Sequence, residues 1–75
     1  MNHSLNVELD LADGALLRVI GVTERRGWSA TALQAQPALE AGVMTLNISV
    51  LGNRSVDLLV RQLAKLHVVR SVEVA

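Results

Sequence analysis

The stretch "SLNVELDLADGALLRVIGVTERRGW", residues 4–28, changes period in its middle. Leu5, Val7, Leu9 and Leu11 alternate with Asn6, Glu8 and Asp10, the two-residue repeat of a strand with one buried face. "ADG" ends the alternation, and Leu16, Leu17, Ile20 and Thr23 follow at helical spacing. Asp13 is placed to cap the helix, two arginines favour its C-terminal dipole, and Gly27 suits a left-handed cap. This reading gives a strand, a helix over about residues 14–26 and a sharp stop.

The same reading extends outward. "WSATALQAQ" is a weaker strand, poor in β-branched residues, and its blurred alternation implies a bulge near Ala32 and Leu33. "PALEAG" is a turn. In "VMTLNISVL", Met44, Leu46, Ile48 and Val50 oppose Thr45, Asn47 and Ser49. "NRSVDLLVRQLAKL", residues 53–66, puts Val56, Leu59, Val60, Leu63, Ala64 and Leu66 on one side of a second helix. "VVRSVEVA" closes with Val72 and Val74 inward.

The order β-α-β-β-α-β implies an α+β, ferredoxin-like fold: a four-stranded antiparallel sheet with two helices on one face, as one domain over residues 1–75. The other sheet face then carries Asn6, Glu8, Asp10, Thr45, Asn47, Ser49 and Glu73, and the second and last strands form exposed edges open to pairing.

Composition narrows the function. A chain of 75 residues buries only about 60% of the surface it exposes unfolded, so its core needs a supplement. The absence of cysteine excludes disulfides, thiolate metal sites and a Cys nucleophile, leaving self-association. Seven basic and seven acidic residues cancel, and the pI of 6.7 gives no nucleic-acid footprint. No run approaches a membrane span, and "MNHSLNVELD" is unlike a secretory signal, so the expected location is cytoplasmic.

Chemistry-bearing residues are sparse. His3, expected in a frayed terminus, and His67 lack partners at metal-ligand spacing, and the serines lack a His-acid context. Glu8 and Asp10 project from one open sheet face, where solubility explains them better than acid–base work. Gly14 fits either a tight turn or a helix N-terminus that receives a carboxylate. Gly21 suits close approach of another backbone, and Trp28 suits either an interface or ordinary packing. These residues point away from an enzyme. One leucine stands out: Leu58 lies on the water side of the second helix, among Asp57, Arg61, Gln62 and Lys65.

The runs "LLRVIGVTERRGW" and "MTLNISVLGNRSVDLLVRQLAKL", with the final "VEV", resemble the small regulatory subunit of acetolactate synthase (acetohydroxyacid synthase) of the isozyme II type, an ACT domain. The resemblance implies a subunit with no catalysis or cofactor of its own. It would activate a large subunit that holds thiamine diphosphate, Mg²⁺ and FAD and condenses pyruvate with a second 2-oxoacid in branched-chain (valine, leucine, isoleucine) amino-acid biosynthesis. It also implies a homodimer through a sheet edge and the first helix, with any branched-chain amino-acid effector bound near the first strand-to-helix turn. Effector positions carried over are Leu11, Asp13, Gly14, Ala15, Leu16 and Ser29. Valine-responsive relatives resemble Asn-x-x-Gly-x-Leu there, so Leu11 replaces the Asn, and Ser29 replaces a second Asn after the aromatic residue. Those departures imply insensitivity to valine. The resemblance also implies that the extra C-terminal domain of longer small subunits is lacking. On this resemblance Asp57, Leu58, Arg61 and Lys65 become a partner interface, Leu58 its apolar anchor in a charged rim. The alternative is a free-standing ACT dimer that binds an amino acid and regulates another metabolic enzyme.

Overall fold

A computed structural model describes residues 1–75. The chain runs β1 (Asn2–Asp10), α1 (Ala15–Arg25), β2 (Ser29–Pro37), β3 (Val43–Leu51), α2 (Val56–Ala64) and β4 (Val69–Val74). The strands form a four-stranded antiparallel sheet in the order β2-β3-β1-β4. Both helices lie on one face, α1 over β1 and β2, and α2 over β4. The ferredoxin-like arrangement expected from the two periodicities is therefore present, with β2 and β4 as edges.

The alternating apolar residues of the central strands build the core. Leu5, Val7 and Leu9 of β1 and Leu46, Ile48 and Val50 of β3 are buried against Ala15, Val19 and Val22 of α1 and Leu59 and Leu63 of α2. Thr23 is buried with them, its Oγ1 donating to the Val19 carbonyl at 2.9 Å, so burial leaves no orphan hydroxyl. Trp28 is a core residue, 2% exposed, and its ring meets that of His3 edge-on at 5.8 Å.

Several expectations need correction. Asp13 does not cap α1: Gly14 is the N-cap at φ 78°, and the chain enters through a backbone turn in which the Ala15 N–H bonds the Ala12 carbonyl at 3.1 Å. The buried arc of α1 is centred on Ala15, Val19, Val22 and Thr23, which leaves Leu17 74% exposed. His3 is held in β1 opposite Val50 rather than frayed. The β2 bulge falls at Thr31, between Ala30 and Ala32, one residue earlier than expected. Ala64 is exposed because only Leu59 and Leu63 of α2 are fully covered. Val74 faces the core side opposite Leu5 yet is 45% exposed, because it sits on an edge strand. Gly27 does take the left-handed conformation, at φ 89°.

Candidate functional site

The β1–α1 turn joins the end of β1 to α1. Leu11 donates its N–H to the Gly42 carbonyl at 2.9 Å, which pins the turn beside the β2–β3 connection and leaves its side chain 53% exposed. Asp13 and Gly14 are exposed, Ala15 is buried and Leu16 half-buried. With glycine as N-cap, no side chain bonds the first free N–H groups of α1. The turn thus presents backbone donors beside an apolar side chain.

Ser29 does not join them within one chain. It pairs with Leu51 at the end of the sheet where β1 starts, whereas Asp10, leading into Leu11, pairs with Val43 at the other end. A strand of nine residues separates the two ends, roughly 26 Å at 3.3 Å per residue.

The sheet's open face is polar. Asn6, Glu8, Gln34, Gln36, Asn47 and Glu73 line a shallow concavity of ≈ 580 Å³ together with neighbouring residues. Asn47 Nδ2 donates to Asn6 Oδ1 at 2.7 Å and to Ser4 Oγ at 3.0 Å, crossing the two central strands. At the rim, Arg70 bridges Asp10 and Glu40, each at 2.9 Å. The hydrogen bond that Arg70 Nε donates to Asp10 Oδ1 holds the exposed guanidinium above its already high ordinary pKa. Glu8 and Asp10 thus do different work, one facing solvent and one anchoring a loop through Arg70. No group of three or more His, Asp or Glu side chains is placed to hold a metal ion.

The third surface is the outer side of the helix layer. Leu58 is 55% exposed, as its position opposite the buried Leu59 and Leu63 requires. The expected rim around it divides. Leu58 and Lys65 line hollows along the seam between α1 and α2, whereas Asp57 and Arg61 line neither. Asp57 and Arg61, though spaced for an i,i+4 pair, form no salt bridge; the ion pairs of the protein are both made by Arg70. The hollows are edged from α1 by Arg18, Arg25 and the adjoining Arg26, residues that reading each helix separately did not bring together. Arg18 and Arg25, seven residues apart on α1, share a helix face in the sequence, but only the antiparallel packing of the two helices brings Lys65 beside them.

A two-layer βαββαβ module that offers a loop, an open sheet and an unpartnered helix face belongs to the class of small α+β domains that act through their surfaces. Within that class, this chain belongs to the ACT domain family, whose model matches residues 12–72. ACT domains are regulatory, amino-acid-binding modules. No helix of the protein is long and apolar enough to cross a membrane.

Solved structures share the fold. The ACT domain of GTP pyrophosphokinase from Chlorobium tepidum superposes with a TM-score of 0.81 at 16% identity, covering 100% of this chain and 97% of that one. The acetolactate synthase small subunit from Thermotoga maritima does so with a TM-score of 0.84 at 21% identity, over 99% of this chain and 47% of its own length. Formyltetrahydrofolate deformylase from Burkholderia mallei ATCC 23344 matches with a TM-score of 0.74 at 17% identity, over 100% of this chain and 27% of that enzyme. Such identities carry the fold, and the last two proteins are two to four times longer than the matched module.

Proposed function

We propose that this chain is the non-catalytic activating subunit of an acetolactate synthase in branched-chain amino-acid biosynthesis. In this reading it works in the cytoplasm, is one ACT domain throughout, and holds no cofactor itself. The thiamine diphosphate, Mg²⁺ and FAD belong to the large subunit it activates. The observation that carries the reading is Leu58, an apolar side chain left 55% exposed on the outer side of α2. It lies in "RSVDLLVRQLAKL", the most specific part of the resemblance to the isozyme II type. A subunit can bias an enzyme only through its differential affinity for the enzyme's states, so a docking face is the feature such a function needs.

Self-pairing supplies the burial that the short chain lacks. Every residue of β2 except Ala30 is exposed, and its outer edge carries unpaired backbone groups. Leu33, opposite Ile48, projects on the core side and is 45% exposed, while Ile20 is half-buried on the flank of α1 away from α2. A second copy added antiparallel along β2 covers both. It also brings Ser29 of the partner subunit to the end that carries Leu11, Asp13, Gly14, Ala15 and Leu16, joining the effector positions across two chains. Leu11 offers no hydrogen bond to the ammonium or carboxylate of valine, which favours a site that does not respond to it.

The test is acetolactate formation from pyruvate by the purified large subunit, with wild type or Leu58→Asp added, in the presence and absence of valine. Activation that ignores valine and disappears with a folded Leu58→Asp supports the reading. Absence of activation by wild type, with thermal stabilisation by an amino acid, would instead identify a free-standing sensor.

A further inference from the structure

The zero net charge hides a separation. Six of the seven basic residues, Arg18, Arg25, Arg26, Arg54, Arg61 and Lys65, lie on or between the helices. Arg70 alone is on the sheet side, where Asp10 and Glu40 neutralise it. Glu24 and Asp57 lie on the helices and Asp13 just before α1, so the helix layer carries an excess of cations, whereas the sheet face, with Glu8 and Glu73, is acidic.

The basic side has a shape. Three hollows of ≈ 460, 440 and 140 Å³ follow one another along the α1–α2 seam. The first and second share Val22, Arg25 and Leu66, and the second and third share Arg26 and Gln62, whose side chains are bonded at 2.9 Å. Arg18, Arg25, Arg26, Arg54 and Lys65 line the walls, none in an ion pair, and no carboxylate lines any of the three hollows. The floor is apolar, from Val22, Leu59 and Leu66, and the exposed Leu17 and Leu58 stand at opposite ends.

We infer that this groove receives an acidic amphipathic helix of a partner protein, its apolar stripe on Leu17, Leu66 and Leu58 and its carboxylates on the flanking arginines. Five cations without counter-ions call for acidic complementarity, and a groove between two antiparallel helices with apolar ends fits a third helix. Nucleic acid fits less well. The sole aromatic, Trp28, is buried and offers no stacking platform, and the apolar ends would meet phosphate. As a statement about the large subunit's docking element, the inference rests on the acetolactate synthase reading. The groove's own chemistry does not.

The probe is therefore a fluorescein-labelled helical peptide of about 18 residues, long enough to span α1, with Leu at i, i+3, i+4 spacing and Ala and Glu elsewhere. It is titrated into the full chain by anisotropy beside a scrambled peptide of equal composition, a DNA duplex and phosphatidylserine vesicles. Arg18→Glu/Arg54→Glu reverses two walls away from the last helical turns, and Arg25→Gln/Lys65→Gln removes two more without adding charge. Wild type should bind the patterned peptide, with affinity falling about tenfold or more in either double variant and with rising salt. Glu8→Gln/Glu73→Gln, on the opposite face, should bind like wild type, and circular dichroism should show every variant folded. Equal binding of the scrambled peptide or duplex, preference for vesicles, no binding, or no loss in folded groove variants would overturn the inference. The titration contains no large subunit. Failed activation with retained peptide binding rejects the enzyme assignment alone, and activation unaffected by both groove variants rejects the groove alone.

Discussion

The indole of Trp28 occupies the space in which a side chain at residue 52 would begin. A Cβ on Gly52 would stand 2.6 Å from Trp28 Cε3 and 2.8 Å from Cδ2, closer than real Cβ contacts come. The ring is 2% exposed and packed in the core, so neither partner can yield cheaply.

Gly52→Ala is therefore expected to destabilise the fold by about 1 to 3 kcal/mol, the range for overpacking a filled core. Urea unfolding followed by tryptophan fluorescence measures it directly. An unchanged midpoint would mean that β3 and Trp28 move apart freely.

Leu58 and Leu59 are neighbours in sequence with opposite fates, 55% and 1% exposed. Leu59→Ala should cost about 2 to 5 kcal/mol through lost burial and a cavity. Leu58→Ala should stay within about 0.5 kcal/mol, as surface changes do. Comparable losses in chemical denaturation would show that the α2 register is wrong and remove Leu58 as a docking residue.

That contrast shows why most of the fold was legible in the sequence. Strand faces repeat every two residues, so Leu5, Val7 and Leu9, or Leu46, Ile48 and Val50, announce their side without reference to neighbours. Helix faces are wider and less exact. Leu16, Leu17, Ile20 and Thr23 formed a plausible stripe for α1, yet the small Ala15 and the valines at 19 and 22 were the residues that fitted over the sheet. The candidate sites were legible only by element. Leu58 followed from one helix, but the seam with Arg18, Arg25 and Lys65 depends on two helices lying side by side, and the separation of Ser29 from Gly14 depends on strand register.

The proposed pairing along β2 would make Leu33 a sensitive position, because it sits on the edge strand with its side chain on the core side and 45% exposed. Leu33→Lys should shift the protein from dimer toward monomer with little change in secondary structure, since charged side chains are how edges resist pairing. Sedimentation at several concentrations reads the shift. A Leu33→Lys protein that remains dimeric would place the contact elsewhere.

Valine provides the sharpest test of the β1–α1 turn. A ligand that binds only the folded state stabilises it by about 2.7 kcal/mol at 100 times its dissociation constant, roughly a 10 to 20 °C rise in melting temperature for a domain of this size. Wild type should show no rise with valine, because Leu11 and Ser29 replace the two Asn positions of the valine-responsive pattern. Leu11 is exposed and held by its backbone bond to Gly42 rather than by side-chain packing, so Leu11→Asn should fold normally. Combined with Ser29→Asn it should introduce a valine-dependent rise, because each new amide can pair with a ligand group that would otherwise lose its hydrogen bond to water. A rise in wild type would reject insensitivity. No rise in the double variant would mean that the turn and Ser29 of a second copy do not share one site.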